Sequence, residues 1–143
     1  MSFKQWTAVI QIVAAVIVLI WLVRHATGAD DWPGTVQEAA RTTLWALLAI
    51  IVFNVVASIV MAIVVSIAQG QEFKDEAADE RDTHVGARSM RNAYIIASLG
   101  GLGILLFLAF GGNPAAMPYL LFTVLLVAGT ADAISRLVYY RVG

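Results

Sequence analysis

The 143-residue chain is 60% hydrophobic and 13% charged, with a formal charge of −1 and a mean hydropathy of +0.81. Soluble domains are about 45–50% apolar and about 25% charged, so an ordinary water-soluble fold is excluded. The near-neutral charge argues against direct nucleic-acid binding, and the lack of cysteine removes disulfides, thiolate metal sites and cysteine nucleophiles together.

A hydrocarbon core about 30 Å thick is crossed by about 20 predominantly apolar helical residues. The first stretch that qualifies covers residues 3–23, with Gln11 as its strongly polar interior residue. Trp6 and Trp21 stand near its ends, where indoles favour the membrane–water boundary. A secretory signal peptide would show an apolar run of only about 7–15 residues before a small-residue cleavage site. Here the uncharged run from Gln5 to Val23 leads into Arg24-His25, which predicts a retained helix.

The second stretch covers residues 44–68, relieved only by Asn54, Ser58 and Ser66. At 1.5 Å per residue it is about 37 Å long, enough to tilt or protrude. Thr35-Val-Gln-Glu38, behind Pro33-Gly34, has the form of a capping box and predicts an earlier helix start. Asn54, near the middle of the span, is expected to hydrogen-bond to another helix, and Gln11 to do the same from the first span.

A charged hairpin follows over residues 70–92. Glu72, Asp75, Glu76, Asp79, Glu80 and Asp82 come first, then Arg88 and Arg91. A short helix over part of 72–82 and a turn near Thr83–Gly86 are expected. The like-charge pairs Glu72–Glu76 and Asp75–Asp79 disfavour an isolated helix by tenths of a kcal/mol, roughly, so such a helix needs basic partners or packing. Three readings of this hairpin compete: a solvated charged loop, a docking surface for a partner, and a metal site from Asp79, Glu80, Asp82 and His84. Carboxylates with one histidine suit several divalent ions, but the spacing matches neither a calcium loop nor common zinc sites. No metal and no cofactor are therefore expected.

The third span covers residues 93–110 and stops at Gly111-Gly112-Asn113-Pro114. Gly100, Gly101 and Gly103 predict a helix-packing face, since small side chains let backbones approach; Gly129 in the fourth span is placed in the same role. The fourth span covers residues 115–138 and closes on Tyr139 and Tyr140. It holds Asp132, the ionisable residue of the spans, with Arg136 at i+4. A helical ion pair is the plainer reading of Asp132, and a cation- or proton-binding carboxylate the functional one.

Lys4, Lys74, Arg81, Arg88, Arg91, Arg136 and Arg141 fall on one side of these spans, Arg24 and Arg41 on the other. The positive-inside rule then places the N-terminus, the hairpin and the C-terminus in the cytoplasm. The expected fold is all-α, a polytopic bundle of four transmembrane helices forming one domain over residues 1–143, in the cytoplasmic (inner) membrane. The two halves share one topology, so an inverted repeat is not expected.

Asp79-Glu80-Arg81-Asp82, followed by an arginine-bearing approach to Arg91-Asn92-Ala93-Tyr94, resembles a family of small bacterial and archaeal four-helix membrane proteins of unknown function. That family carries an Asp-Glu-Arg-Asp signature in its central cytoplasmic hairpin. Apolar residues commonly follow the signature there, whereas Thr83, His84 and Gly86 intervene here. The resemblance implies no reaction. It implies a membrane tether or sensor, because some relatives are encoded beside small helix-turn-helix regulators.

Enzyme signatures such as Ser-x-x-Lys, His-Glu-x-x-His or paired intramembrane aspartates do not occur, and His25 and His84 are placed in loops. Small multidrug exporters need an acidic residue in the first helix, and none lies between Gln5 and Val23. Gln11, Asn54, Ser58 and Ser66 make only a thin polar face for a pore. The leading expectation is a non-enzymatic interaction or regulatory module. Asp79, Glu80, Arg81, Asp82, Arg88 and Arg91 would dock a cytoplasmic partner, with a helix-turn-helix regulator and a second copy of the chain as the partners it admits besides the bilayer. The alternative is a small oligomeric transporter or channel using Asp132 and Asn54.

Overall fold

The apolar runs fold as four α-helices: α1 (Phe3–Gly28), α2 (Val36–Gln69), α3 (Glu80–Ala109) and α4 (Met117–Val142). They are seen in a computed structural model that describes residues 3–28, 34–69 and 80–142. Each helix is long and apolar enough to cross a membrane. No strand occurs among the described residues.

Every helix is longer than its expected span, because polar ends continue the hydrogen-bonding pattern of apolar middles. α2 begins at Val36 through half of the capping box: Thr35 Oγ1 accepts from the Glu38 N–H (3.2 Å). Its 34 residues extend about 51 Å. The expected turn near Thr83–Gly86 does not form; α3 runs unbroken from Glu80 through Gly86 into the apolar segment. Glu80 and Asp82 stand in its first turn, where negative charge favours a helix N-terminus. Packing against α4 outweighs the weak local cost of Gly86. The part of the expected short helix at 72–79 lies outside the described residues, as does Asp79. His84 and the backbone of His25 belong to α3 and α1 rather than to loops.

α3 stops at a glycine signal. Gly111 adopts φ 84°, the left-handed conformation that glycine reaches without a Cβ penalty. Gly112 N–H bonds to the Phe107 carbonyl (2.9 Å) and Gly111 N–H to that of Leu108 (3.0 Å), a Schellman closure. Asn113 then caps a 3₁₀ turn over Pro114–Ala116, its Oδ1 accepting from the Ala115 N–H (3.0 Å), and this turn feeds α4.

The helices alternate in direction. One end of the molecule carries the end of α1, the start of α2 and the α3–α4 turn, here the turn end. The other carries the start of α1, the end of α2, the start of α3 and the end of α4, the loop end. α4 is the hub, packing against α1, α2 and α3, while α3 makes no comparable contact with α1 or α2 among the described residues. Near the turn end, Leu22 of α1, Ala39 and Ala46 of α2, and Tyr119 and Phe122 of α4 form a small core. Past Ala46, α2 buries none of its described residues, and its most apolar window is wholly unburied. It is apolar nearly all round, the pattern of a helix long and apolar enough to cross a membrane.

Candidate functional site

Two places gather polar side chains: the loop end of the α3–α4 pair, and a cleft between α1, α2 and α4.

At the loop end, α3 and α4 are joined side by side. Asn92 Nδ2 donates to Ser135 Oγ (3.1 Å) and to the Tyr139 hydroxyl (3.0 Å). The Tyr140 hydroxyl donates to Asp82 Oδ1 (2.7 Å), and Arg81 Nη2 donates to the Tyr140 carbonyl (3.4 Å). Ser89 is 0% exposed and turns its hydroxyl back to the Gly86 carbonyl (2.9 Å). Such a small, internally bonded residue lets the two helices approach closely. Two members of the charged signature, Arg81 and Asp82, therefore bind this protein's own fourth helix. Asn92, Ser135 and Tyr140 carry this seam, and sequence pattern alone does not assign them to it. The available signal is the i, i+3, i+7 spacing of Asp82, Val85 and Ser89, which share one helix face.

The opposite face of α3 points outward. Glu80, His84, Arg88 and Arg91 recur at intervals of four, four and three residues, a single strip on an α-helix. All four are exposed, as are Ala87 and Tyr94 beside them. The described residues bring together no group of three His, Asp or Glu side chains able to hold a metal ion.

Asp132 forms the ion pair expected within α4: its Oδ2 lies 2.9 Å from Arg136 Nη2. The Asp132 side chain is 18% exposed and that of Arg136 43%. Asp132 Oδ1 and Arg136 Nε are buried without a hydrogen-bond partner among the described residues. The carboxylate is thus neutralised on one oxygen and unsatisfied on the other.

The cleft opens because α2 separates from α4 beyond the small core. Its volume is about 780 Å³, and its walls include Thr7, Gln11, Thr43, Asn54, Ser58 and Thr130 among Leu, Ile and Phe side chains. Gln11 makes the interhelical bond expected of it, Nε2 donating to the Gly129 carbonyl (3.4 Å). Asn54 does not. Its Nδ2 donates to the Ile50 carbonyl of its own helix (2.8 Å). The physical reason is the cleft itself: no neighbouring backbone is near enough, so the amide returns to the preceding turn.

The glycine cluster divides. A Cβ at Gly100 would collide with both methyl groups of Val124, so this glycine lets α3 and α4 approach closely. Beyond their own helix backbone, Gly101 and Gly103 have no described atom within 4 Å of such a Cβ, and the expectation that they pack against a neighbour is not met among the described residues. Gly129 lies against Gln11, whose Nε2 would stand 3.7 Å from a Cβ placed on that glycine, and so packs α4 on α1.

Comparison with protein-family models, with curated proteins and with solved structures finds no match to this chain.

Proposed function

We propose that this chain is a non-enzymatic membrane-anchored interaction module, inserted with the loop end in the cytoplasm, whose α3 docks a cytoplasmic protein. The supporting observation is the exposed strip Glu80–His84–Arg88–Arg91 on a helix whose other face is held to α4. A bound partner would meet a pre-formed helix and not have to order it, which lowers the cost of association. The exposed guanidinium groups favour a partner with an acidic face, and complementary charge contributes mainly to encounter rate and register. A small regulator of the helix-turn-helix class, the partner that the family resemblance implies, would have to present such a face.

The competing transporter or channel reading rests on Asp132 and Asn54. Both are engaged within their own helices, Asp132 by Arg136 and Asn54 by Ile50, which favours the docking reading.

Affinity capture from native membranes tests the choice. Arg88→Ser with Arg91→Ser should abolish recovery of the partner, and Asp132→Asn should leave it intact. Neutralising Asp82 is a poor test, because that residue also binds Tyr140. Undiminished capture by the double arginine variant would remove the docking reading. Ion- or proton-coupled flux lost in Asp132→Asn would put transport first.

A further inference from the structure

The cleft between α1, α2 and α4 has a chemistry more specific than its size. None of its lining residues carries a formal charge. A backbone carbonyl can only accept, so Gln11 and Asn54 must each turn their amide nitrogen to the carbonyl they contact. Their oxygens are then left over. Gln11 Oε1 and Asn54 Oδ1 have no partner among the described residues, and neither does the Ser58 hydroxyl. Thr43 and Thr130 donate to Ala39 and Leu126 one turn back in their own helices, which leaves their lone pairs as acceptors. The cleft therefore presents uncharged acceptors within apolar walls, together with the second amide N–H of Gln11 and of Asn54 and the Ser58 O–H as donors.

A ligand matched to it is apolar over most of its length and carries, at one end, groups that both donate and accept hydrogen bonds, as hydroxyls do. It is also uncharged, because a carboxylate or ammonium taken into these walls would lose hydration without meeting an opposite charge. The one carboxylate on the neighbouring turn of α4, Asp132, is already paired with Arg136. A cleft of about 780 Å³ is in the range, about 300–1,000 Å³, that holds one drug-sized molecule. We infer that the cleft binds a neutral single-chain lipid whose head group carries hydroxyls, of the monoacylglycerol class, with Asn54, Gln11 and Ser58 receiving the head group. The site rests on the membrane insertion proposed above and is independent of partner docking.

Purified full-length chain in nanodiscs, titrated with 1-monooleoylglycerol, oleate and methyl oleate, provides the test by native mass spectrometry and thermal shift. Flotation with vesicles first checks insertion separately. The three probes share one chain and differ in the head: hydroxylated and neutral, charged, and neutral without donors. Saturable binding should favour monooleoylglycerol over each of the others by about tenfold, the value of one to two net hydrogen bonds. Asn54→Leu and Ser58→Ala should each reduce that preference without unfolding the chain, since the Asn54 bond is confined to its own helix. Arg88→Ser with Arg91→Ser should leave it unchanged. Equal binding of the three probes, or a preference that survives the paired Asn54 and Ser58 changes, would overturn the assignment and mark the cleft as a place filled by bulk lipid. A dimer that occupies the cleft and excludes every probe would overturn it as well.

Discussion

At the scale of single residues, close approach of helices is decided by which side of a helix a small residue occupies. Gly101 is turned about 100° from Gly100 around the helix and Gly103 about 60° to the other side, so the three do not meet a neighbour equally. Only Gly100 meets Val124, and the contact includes Val124 Cβ at 3.0 Å, which no rotamer change relieves. Gly100→Ala should therefore lower thermal stability in detergent, by about 1–3 kcal/mol as for other overpacked cores. Gly101→Ala should leave stability unchanged or raise it by up to about 1 kcal/mol, through helix propensity. Equal effects of the two substitutions would contradict the packing described. The sequence offers three candidate glycines and no means of choosing among them, because the choice depends on where α4 lies. Gln11 and Asn54 illustrate the same limit. Both are polar residues in apolar helices, and only the distance to the nearest backbone decides whether an amide reaches across or folds back.

At the scale of the element, α3 combines a charged first third with an apolar remainder in one helix. Hydropathy locates the apolar part, which begins near Ala93. The charged part is a matter of tertiary contact: Ser89, Asn92 and Asp82 hold it to α4, and local propensity alone does not foretell that. Removing these ties should loosen the helix from one end. Tyr140→Phe with Asn92→Leu should speed amide hydrogen exchange over residues 80–92 by about tenfold, equivalent to about 1.4 kcal/mol. Exchange over 100–109 should be unaltered. Uniform acceleration along α3 would mean that the helix opens as one unit, and that the seam does not set its local stability. The strip of Glu80, His84, Arg88 and Arg91 is legible in the sequence as charge but not as a face, since a turn at Thr83–Gly86 would break its periodicity.

For the whole molecule, the arrangement of lysine and arginine carries the proposed orientation, and the cysteine-free chain makes it simple to probe. Single cysteines at Gly34 and Ala87, both exposed, stand at opposite ends of the molecule. Impermeant maleimide applied to intact cells should label Gly34→Cys and spare Ala87→Cys; the reverse pattern would invert the topology. Four spans are readable from apolar length, because the bilayer sets one requirement for all of them. The hub position of α4 is not, since apolar length does not say which helices pack together. That position bears on how the chain is made. Helices leave the ribosome in order, and α1 and α2 can pair as soon as both have emerged. α3 emerges next, and the helix against which it packs is still unsynthesised. During that interval Ser89 and Asn92 have no α4 to meet, so α3 must wait without its packing partner until the last 26-residue helix arrives. Early termination of translation within α4 would strand α3 in that unpartnered state.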